Sequence, residues 1–272
     1  MIADIKKHLL YYISLWNLVR DGESFFTHSS LLQPVLYKNK KAILKIFMVD
    51  EEKKGAKLMI WWNGVGAVKV FEYSDDAILM ERIANDYSLT AMAINNQDDK
   101  ATQIICNVAN LLHSYNHDSY PELVTLEHRF VDLFLFADKY GEVFKRCADI
   151  AKNLLKNQQD RVILHGDLHH ENILHSANRG WLAIDPKGII GERAFDYVNI
   201  LCNPNAEVAL KKGRFLCQIE LISKEAKISC ENVLKWAAAW SGLSAIWSLN
   251  EGRERNIAFE VASIALQELN IR

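Results

Sequence analysis

The run Ile163-Leu164-His165-Gly166-Asp167-Leu168-His169-His170-Glu171-Asn172-Ile173-Leu174, followed by Trp181-Leu182-Ala183-Ile184-Asp185-Pro186, restricts this chain more than any other stretch. Apolar residues flank a polar loop on both sides. Arg161 to Leu164 therefore reads as a short strand entering the loop, and Trp181 to Ile184 as a buried strand ending at Asp185. Both carboxylates would then sit at the ends of rigid elements. Taken singly, Asp and Asn are ordinary turn residues. By residue-frequency arithmetic, the joint spacing His-Gly-Asp-x4-Asn arises by accident in only about one chain in a thousand of this length.

These groups suit the transfer of a phosphoryl group. That reaction needs little covalent chemistry from a protein, only a hydroxyl held in line and phosphate charge neutralised by Mg²⁺. Asp167 can take the proton of an acceptor hydroxyl. Asn172 offers a neutral oxygen and Asp185 an anionic one to magnesium, a hard cation that prefers oxygen ligands. The order is the one found in kinases.

The rest of the chain narrows the class. Its 272 residues can bury a sizeable core. A net charge of -2, from 32 basic and 34 acidic side chains, gives no general attraction to nucleic acid or anionic membranes. The five cysteines are odd in number and never spaced C-x-x-C, which indicates neither a disulfide framework nor a zinc site. Lys6 and Lys7 before an apolar stretch imitate a signal peptide, but Ser14 and Asn17 interrupt it and no small-residue cleavage site follows. No run is long enough to span a membrane. The expectation is a cytoplasmic protein, a monomer or weak dimer, that handles a small molecule.

Along the chain, Ile5, Leu9, Tyr12, Ile13, Trp16 and Val19 recur at helical spacing, predicting a helix to about Arg20. Candidate strands follow at Leu31 to Tyr37, Lys41 to Phe47, Ala67 to Tyr73 and Ala77 to Met80, with a helix over Asp50 to Trp62 between the second and third. From about Asn85 the pattern is mainly helical, including an apolar stripe over Leu123 to Asp138 and three or four helices in the last seventy residues. The predicted class is α+β: residues 1–84 form a small mixed lobe and 85–272 a larger helical one.

Within the small lobe, Lys45 shares its strand face with Ile43 and Phe47. It reads either as an edge lysine reaching for water or as a group for the α- and β-phosphates, held by Glu52 or, failing that, Glu51. The turn Thr27-His28-Ser29-Ser30-Leu31 has no glycine, so a Gly-rich loop is absent. The hydroxyls of Ser29 and Ser30 remain as donors to phosphate, although an ordinary serine-rich turn reads equally well. Where the lobes join, the backbone of Glu81 and Ile83 is placed to read an adenine edge, unless this is a plain linker.

With these residues assembled, the chain resembles the aminoglycoside/hydroxyurea antibiotic-resistance kinases, especially the streptomycin 6-phosphotransferase group of the protein-kinase-like superfamily. The resemblance rests on His165 to Ile173, on Trp181 to Gly188, on Gly191-Glu192 with Phe195-Asp196, and on Gly55-Ala56 and Trp62 to Val68. Leu243-Ser244-Ala245 and Trp247 add to it. It implies a two-lobed fold using ATP and Mg²⁺, with Asp167 as base, Asn172 and Asp185 as metal ligands, Lys45 paired with Glu52, and Asp196 bracing the catalytic loop. Gly166 stands where protein kinases carry Arg, so no activation-loop switch is expected.

A polycationic acceptor needs anionic partners, for which Glu192, Asp196, Glu251, Glu254 and Glu260 are candidates, though acidic residues on helices are usually a solvated face. Trp236, Trp240 and Trp247 read as packing first and as pocket walls second. His169 and His170 read as shapers of the loop. Two other readings stay open: a metabolic or hydroxyurea-type kinase of the same fold, and a pseudokinase that binds without chemistry.

Overall fold

The computed structural model describes residues 2–84, 86–117, 119–253 and 256–271. The predicted N-terminal helix is α1 (Ile2–Leu15), which ends before Arg20 because Asn17 turns the chain at φ 50°. Val19 and Arg20 then form the edge strand β1 (Val19–Arg20). It is followed by β2 (Phe25–Phe26), β3 (Ser30–Tyr37), β4 (Lys40–Phe47), α2 (Glu51–Trp62), β5 (Val70–Ser74) and β6 (Ala77–Glu81). The strands pair antiparallel in the order β1-β3-β4-β6-β5, with β2 on β3.

Alternation along β4 divides the lobe. Ala42, Leu44 and Ile46 face Ile5, Leu9 and Tyr12 of α1 in one apolar cluster. Ile43, Lys45 and Phe47 face the other way, toward α2. The third predicted strand starts at Val70, three residues late. Gly66 and Val68 are committed elsewhere: Val68 N–H donates to Ala183 O (3.1 Å) and Ala183 N–H to Gly66 O (2.8 Å), which stitches the small lobe to the second.

Chain order in the larger lobe is α3 (Leu89–Met92), α4 (Asp98–Ser114), β7 (Val124–Thr125), α5 (Leu126–Arg129), α6 (Val131–Tyr140), α7 (Glu142–Lys156) and β8 (Arg161–Leu164). Then come β9 (Ile173–Ser176), β10 (Gly180–Ala183), β11 (Ile189–Glu192), α8 (Phe195–Val198), α9 (Ala206–Ala209), α10 (Arg214–Ala226), α11 (Cys230–Asn250) and α12 (Ile257–Ile271). The predicted Leu123–Asp138 stripe is broken into β7, α5 and α6. Helix α11 is apolar nearly all round, which explains its burial between α6, α7, α10 and α12. Strands β9 and β10 form a hairpin, while β11 lies between β7 and β8. No helix among the described residues is long and apolar enough to cross a membrane.

Helix α2 also reaches the larger lobe. Leu58 and Trp62 at the C-terminal end of α2 belong to the larger lobe's core, and the Trp62 ring stacks on His165, centroids 6.2 Å apart. The small-lobe helix is thus fixed to the loop that β8 delivers.

Candidate active site

Backbone constraints set the loop after β8. Gly166 has φ 85°, and a Cβ there would lie 2.6 Å from the Ile189 side chain, so only glycine fits. Asp196, at the start of α8, accepts the amides of His165 (2.8 Å) and Gly166 (2.7 Å) in its buried carboxylate, and lies 2.8 Å from His113 Nε2. This is the bracing role the resemblance implied. His165 is wholly buried, and burial pushes its pKa down. The neutral ring then donates Nε2–H to Ile184 O (2.8 Å) and accepts the Asp167 amide at Nδ1 (3.3 Å), an arrangement only one tautomer permits.

Two backbone bonds draw the Asp185 segment onto this loop. Ile184 N–H donates to Asn172 O (2.9 Å) and Lys187 N–H to His165 O (2.7 Å). Asn172 Nδ2 donates to Asp167 O at 2.8 Å and reaches its Oδ2 at 3.4 Å, so the amide oxygen is left for another partner. Asp167 Oδ1 accepts from Asn199 Nδ2 (2.9 Å), and Lys187 Nζ stands 3.9 Å from Oδ2. Asp167, Asn172 and Asp185 therefore meet at one cleft.

From the small lobe, Lys45 Nζ reaches Asp185 Oδ1 at 2.7 Å and Glu52 Oε2 at 2.5 Å. Burial opposes the charge on Lys45, but the two carboxylates outweigh it and raise its pKa. Burial likewise opposes ionisation of Asp185, and the Lys45 ammonium with Lys187 beside it holds the carboxyl below the usual range. Asp185 sits at φ 59°, a backbone state uncommon for a residue with a side chain. Gly55 explains how α2 comes so close: a Cβ there would lie 2.0 Å from Pro186 O.

Other expected residues are placed differently. The turn at Thr27 to Ser30 forms, but Ser29 Oγ donates to Glu52 Oε1 (2.5 Å), and Ser30 is fully buried with its hydroxyl directed inward. Ser30 is thus unavailable to phosphate, and Ser29 braces the Lys45–Glu52 pair. Glu51 pairs instead with Arg129 (2.7 Å). The carboxylate of Glu81 accepts from Lys69 N–H (2.7 Å) and pairs with Arg179, while Ile83 joins Ile43, Met80, Leu182 and Ile184 in an apolar patch. Glu192 is not a substrate group: it is buried, accepting from Asn232 Nδ2 (2.5 Å) and Gln159 N–H (3.2 Å). Trp236 and Trp240 are core residues, and Trp240 Nε1 donates to Asn199 Oδ1 (3.3 Å).

Trp247 and Glu251 line an open cavity with Glu51, Arg129, Ser244, Ser248 and Arg253. There the Arg129 guanidinium lies over the Trp247 ring (4.5 Å), and Glu251 pairs with Arg253. Glu260 is exposed on α12, and Glu254 lies outside the described residues. His169 accepts the Glu171 amide at 3.3 Å and so shapes the loop by hydrogen bonding, whereas buried His170 packs 3.9 Å from Asp98, too far for a hydrogen bond.

The sequence reading missed Asn199, Lys187, Arg129 and His113. Asn199 follows Asp196 by three residues on one continuous turn, a spacing that puts both on one face, and this signal was available. His113 and Arg129 come from distant segments and carried none.

A profile described as aminoglycoside/hydroxyurea antibiotic resistance kinase matches residues 15–252. The chain belongs to that family. This kinase is 39% identical over 242 residues to streptomycin 3''-kinase of Klebsiella pneumoniae, covering 87% of this chain and 91% of that one. It is 25% identical to streptomycin 6-kinase of Streptomyces griseus over 271 residues, covering 92% and 85%. Among solved structures, the kinase is similar to amicoumacin kinase hAmiN in complex with AMP-PNP, Ca²⁺ and Ami, with a TM-score of 0.65 at 13% identity, covering 99% and 96%. That likeness shows the two-lobed fold.

Proposed function

We propose that this kinase transfers the γ-phosphoryl group of ATP, with Mg²⁺, to a hydroxyl of streptomycin or a close aminoglycoside, and thereby inactivates the drug. The observation that carries the reading is the meeting of Asp167, Asn172 and Asp185 at one cleft with the Lys45–Glu52 pair reaching in from the small lobe. We assign residues 1–84 to the nucleotide lobe and 85–272 to the catalytic and acceptor lobe.

Each residue then has a task. Asp167 accepts the acceptor's proton, its carboxylate held in orientation by Asn199. Lys45, kept charged by its partners, meets the α- and β-phosphates. The apolar patch of Ile43, Met80, Ile83, Leu182 and Ile184 offers adenine a surface beside the Glu81–Ile83 backbone. The donor set fits magnesium: the Asn172 amide oxygen is left over, and Lys45 occupies only one oxygen of Asp185. Among the described residues no group of three or more His, Cys, Asp or Glu closes a cage, which suits an ion held by one or two protein ligands and phosphate. When bound, the metal supplies neutralisation of phosphate charge.

Streptomycin as acceptor is supported by the 39% identity, and the higher identity to the 3''-kinase than to the 6-kinase favours the 3''-hydroxyl. The cavity of Trp247, Glu251 and Glu51 is the surface we assign to guanidinium groups of the acceptor, which would take over from Arg129 and Arg253 the carboxylates and the ring face those arginines now hold. Because ATP is its donor, we place the protein in the cytoplasm. The test is ADP release by purified protein with streptomycin, other aminoglycosides, hydroxyurea and choline, followed by NMR of the product to locate the phosphate. Turnover with streptomycin at least tenfold above the other acceptors is expected. A preference for hydroxyurea or choline would replace the acceptor, and no nucleotide turnover with any of them would remove the reading.

A further inference from the structure

Lys187 has no part in the roles given so far, yet its position is constrained at every point. Its amide is bonded to His165 O (2.7 Å), and its Cβ lies against Gly166, where an added Cβ would come within 3.1 Å. The side chain is only 18% exposed, although an ordinary surface lysine keeps its ammonium in water. Instead Nζ points into the cleft, 3.9 Å from Asp167 Oδ2. That separation is too long for a hydrogen bond, so Asp167 does not use up its N–H donors.

Counting charge shows what this lysine leaves to do. Lys45 is already held by Asp185 and Glu52 at 2.7 and 2.5 Å, and with Asp167 the cleft carries three carboxylates against one ammonium. A nucleotide tail adds further negative charge. Among the described residues, Lys187 is the one other cation within 4 Å of any of these three carboxylates, and it stands beside the one proposed as base.

We infer that Lys187 is a catalytic residue of this kinase, its ammonium contacting the equatorial oxygens of the phosphoryl group in transit. The inference rests on the function proposed above. In the step, the acceptor oxygen bonds to the γ-phosphorus as that phosphorus parts from the β,γ-bridging oxygen. The acceptor's proton passes to Asp167, and ADP leaves with the electron pair. Midway, charge is spread over the three equatorial oxygens of a planar group, a geometry found only in the transition state and one that a fixed ammonium can be placed to meet.

The experiment compares wild type, Lys187→Met and Lys187→Arg. Steady-state phosphorylation of streptomycin should show kcat reduced about 10²- to 10³-fold by Lys187→Met, with the KM for ATP changed less than about threefold. Lys187→Arg, which keeps the charge, should recover part of the loss. A second readout needs no turnover: calorimetric titration with ADP, and with ADP plus aluminium fluoride as a mimic of the planar phosphoryl group, both in magnesium. Lys187→Met should bind ADP like wild type and lose at least tenfold in affinity for the fluoride complex. Equal affinity of the variant and wild type for that complex would overturn the role of Lys187 alone. Wild-type protein that binds neither ADP nor the fluoride complex would overturn both this role and the function on which it rests.

Discussion

Replacing Gly55 with alanine tests whether the site depends on how closely α2 approaches the Asp185 segment. The added Cβ would lie 2.0 Å from Pro186 O, whereas carbon–oxygen contacts settle near about 3.3 Å, so about 1.3 Å of separation must be found. Both partners are backbone, and neither can yield by rotating a side chain. Glu52 is three residues earlier on the same helix and Asp185 is next to Pro186, with Lys45 held between them at 2.5 and 2.7 Å. A displacement of that size breaks one of the two contacts. Misplacement by about 1 Å typically costs about 10²-fold in rate, so kcat/KM for streptomycin should fall by about two orders of magnitude. Overpacking should also lower stability by about 1–3 kcal/mol. Steady-state kinetics and thermal unfolding of the same preparation check both. A variant with kcat/KM within twofold of wild type would refute the claim that this approach sets the site.

Further expectations follow from the same geometry. Asp167→Asn should lower kcat by about 10²- to 10⁴-fold with the nucleotide Kd nearly unchanged, measured by turnover and titration. Asn199→Ala removes the donor to Asp167 Oδ1 and should lower kcat about tenfold at constant KM for ATP, while Asn199→Asp should do worse because it sets two carboxylates against each other. Glu251→Gln should raise the KM for streptomycin several-fold and leave kcat within about twofold, the mark of lost ground-state binding. Burial lowers the pKa of both His165 and His170, so below about pH 6.5 the unfolded chain binds protons that the folded chain refuses. Stability should therefore fall as pH drops below that value, by up to about 1.4 kcal/mol per pH unit for each histidine. A melting-temperature series from pH 7.5 to 5.5 should show the slope, and His170→Gln should flatten it.

Much of this arrangement was legible before any coordinates, for identifiable reasons. Asp167, Asn172 and Asp185 lie in one short segment, where spacing alone fixes their relation. Lys45 was legible because strand alternation placed a charge on an apolar face. What spacing could not convey was which way a hydroxyl turns or what a carboxylate meets from afar. Ser30 begins a strand whose inward face claims it, and Glu192 finds its partners forty and thirty-three residues away. Trp236 and Trp240 of α11 read correctly as packing first, yet the link from Trp240 through Asn199 to Asp167 depends on tertiary contact and had no signature. The short strands β2, β9 and β11 escaped because each carries only two successive apolar residues, against three in β8 and β10.

Helix α2 behaves as a lever pinned at its far end. With Leu58 and Trp62 set in the larger core and Trp62 lying on His165, the helix has no freedom to swing outward as a unit; any travel is a pivot that carries the turn bearing Glu51 and Glu52. Such a pivot would loosen the grip on Lys45 and part Glu51 from Arg129 in one movement, so the Lys45–Glu52 pair and the rim of the Trp247 cavity would open and shut together.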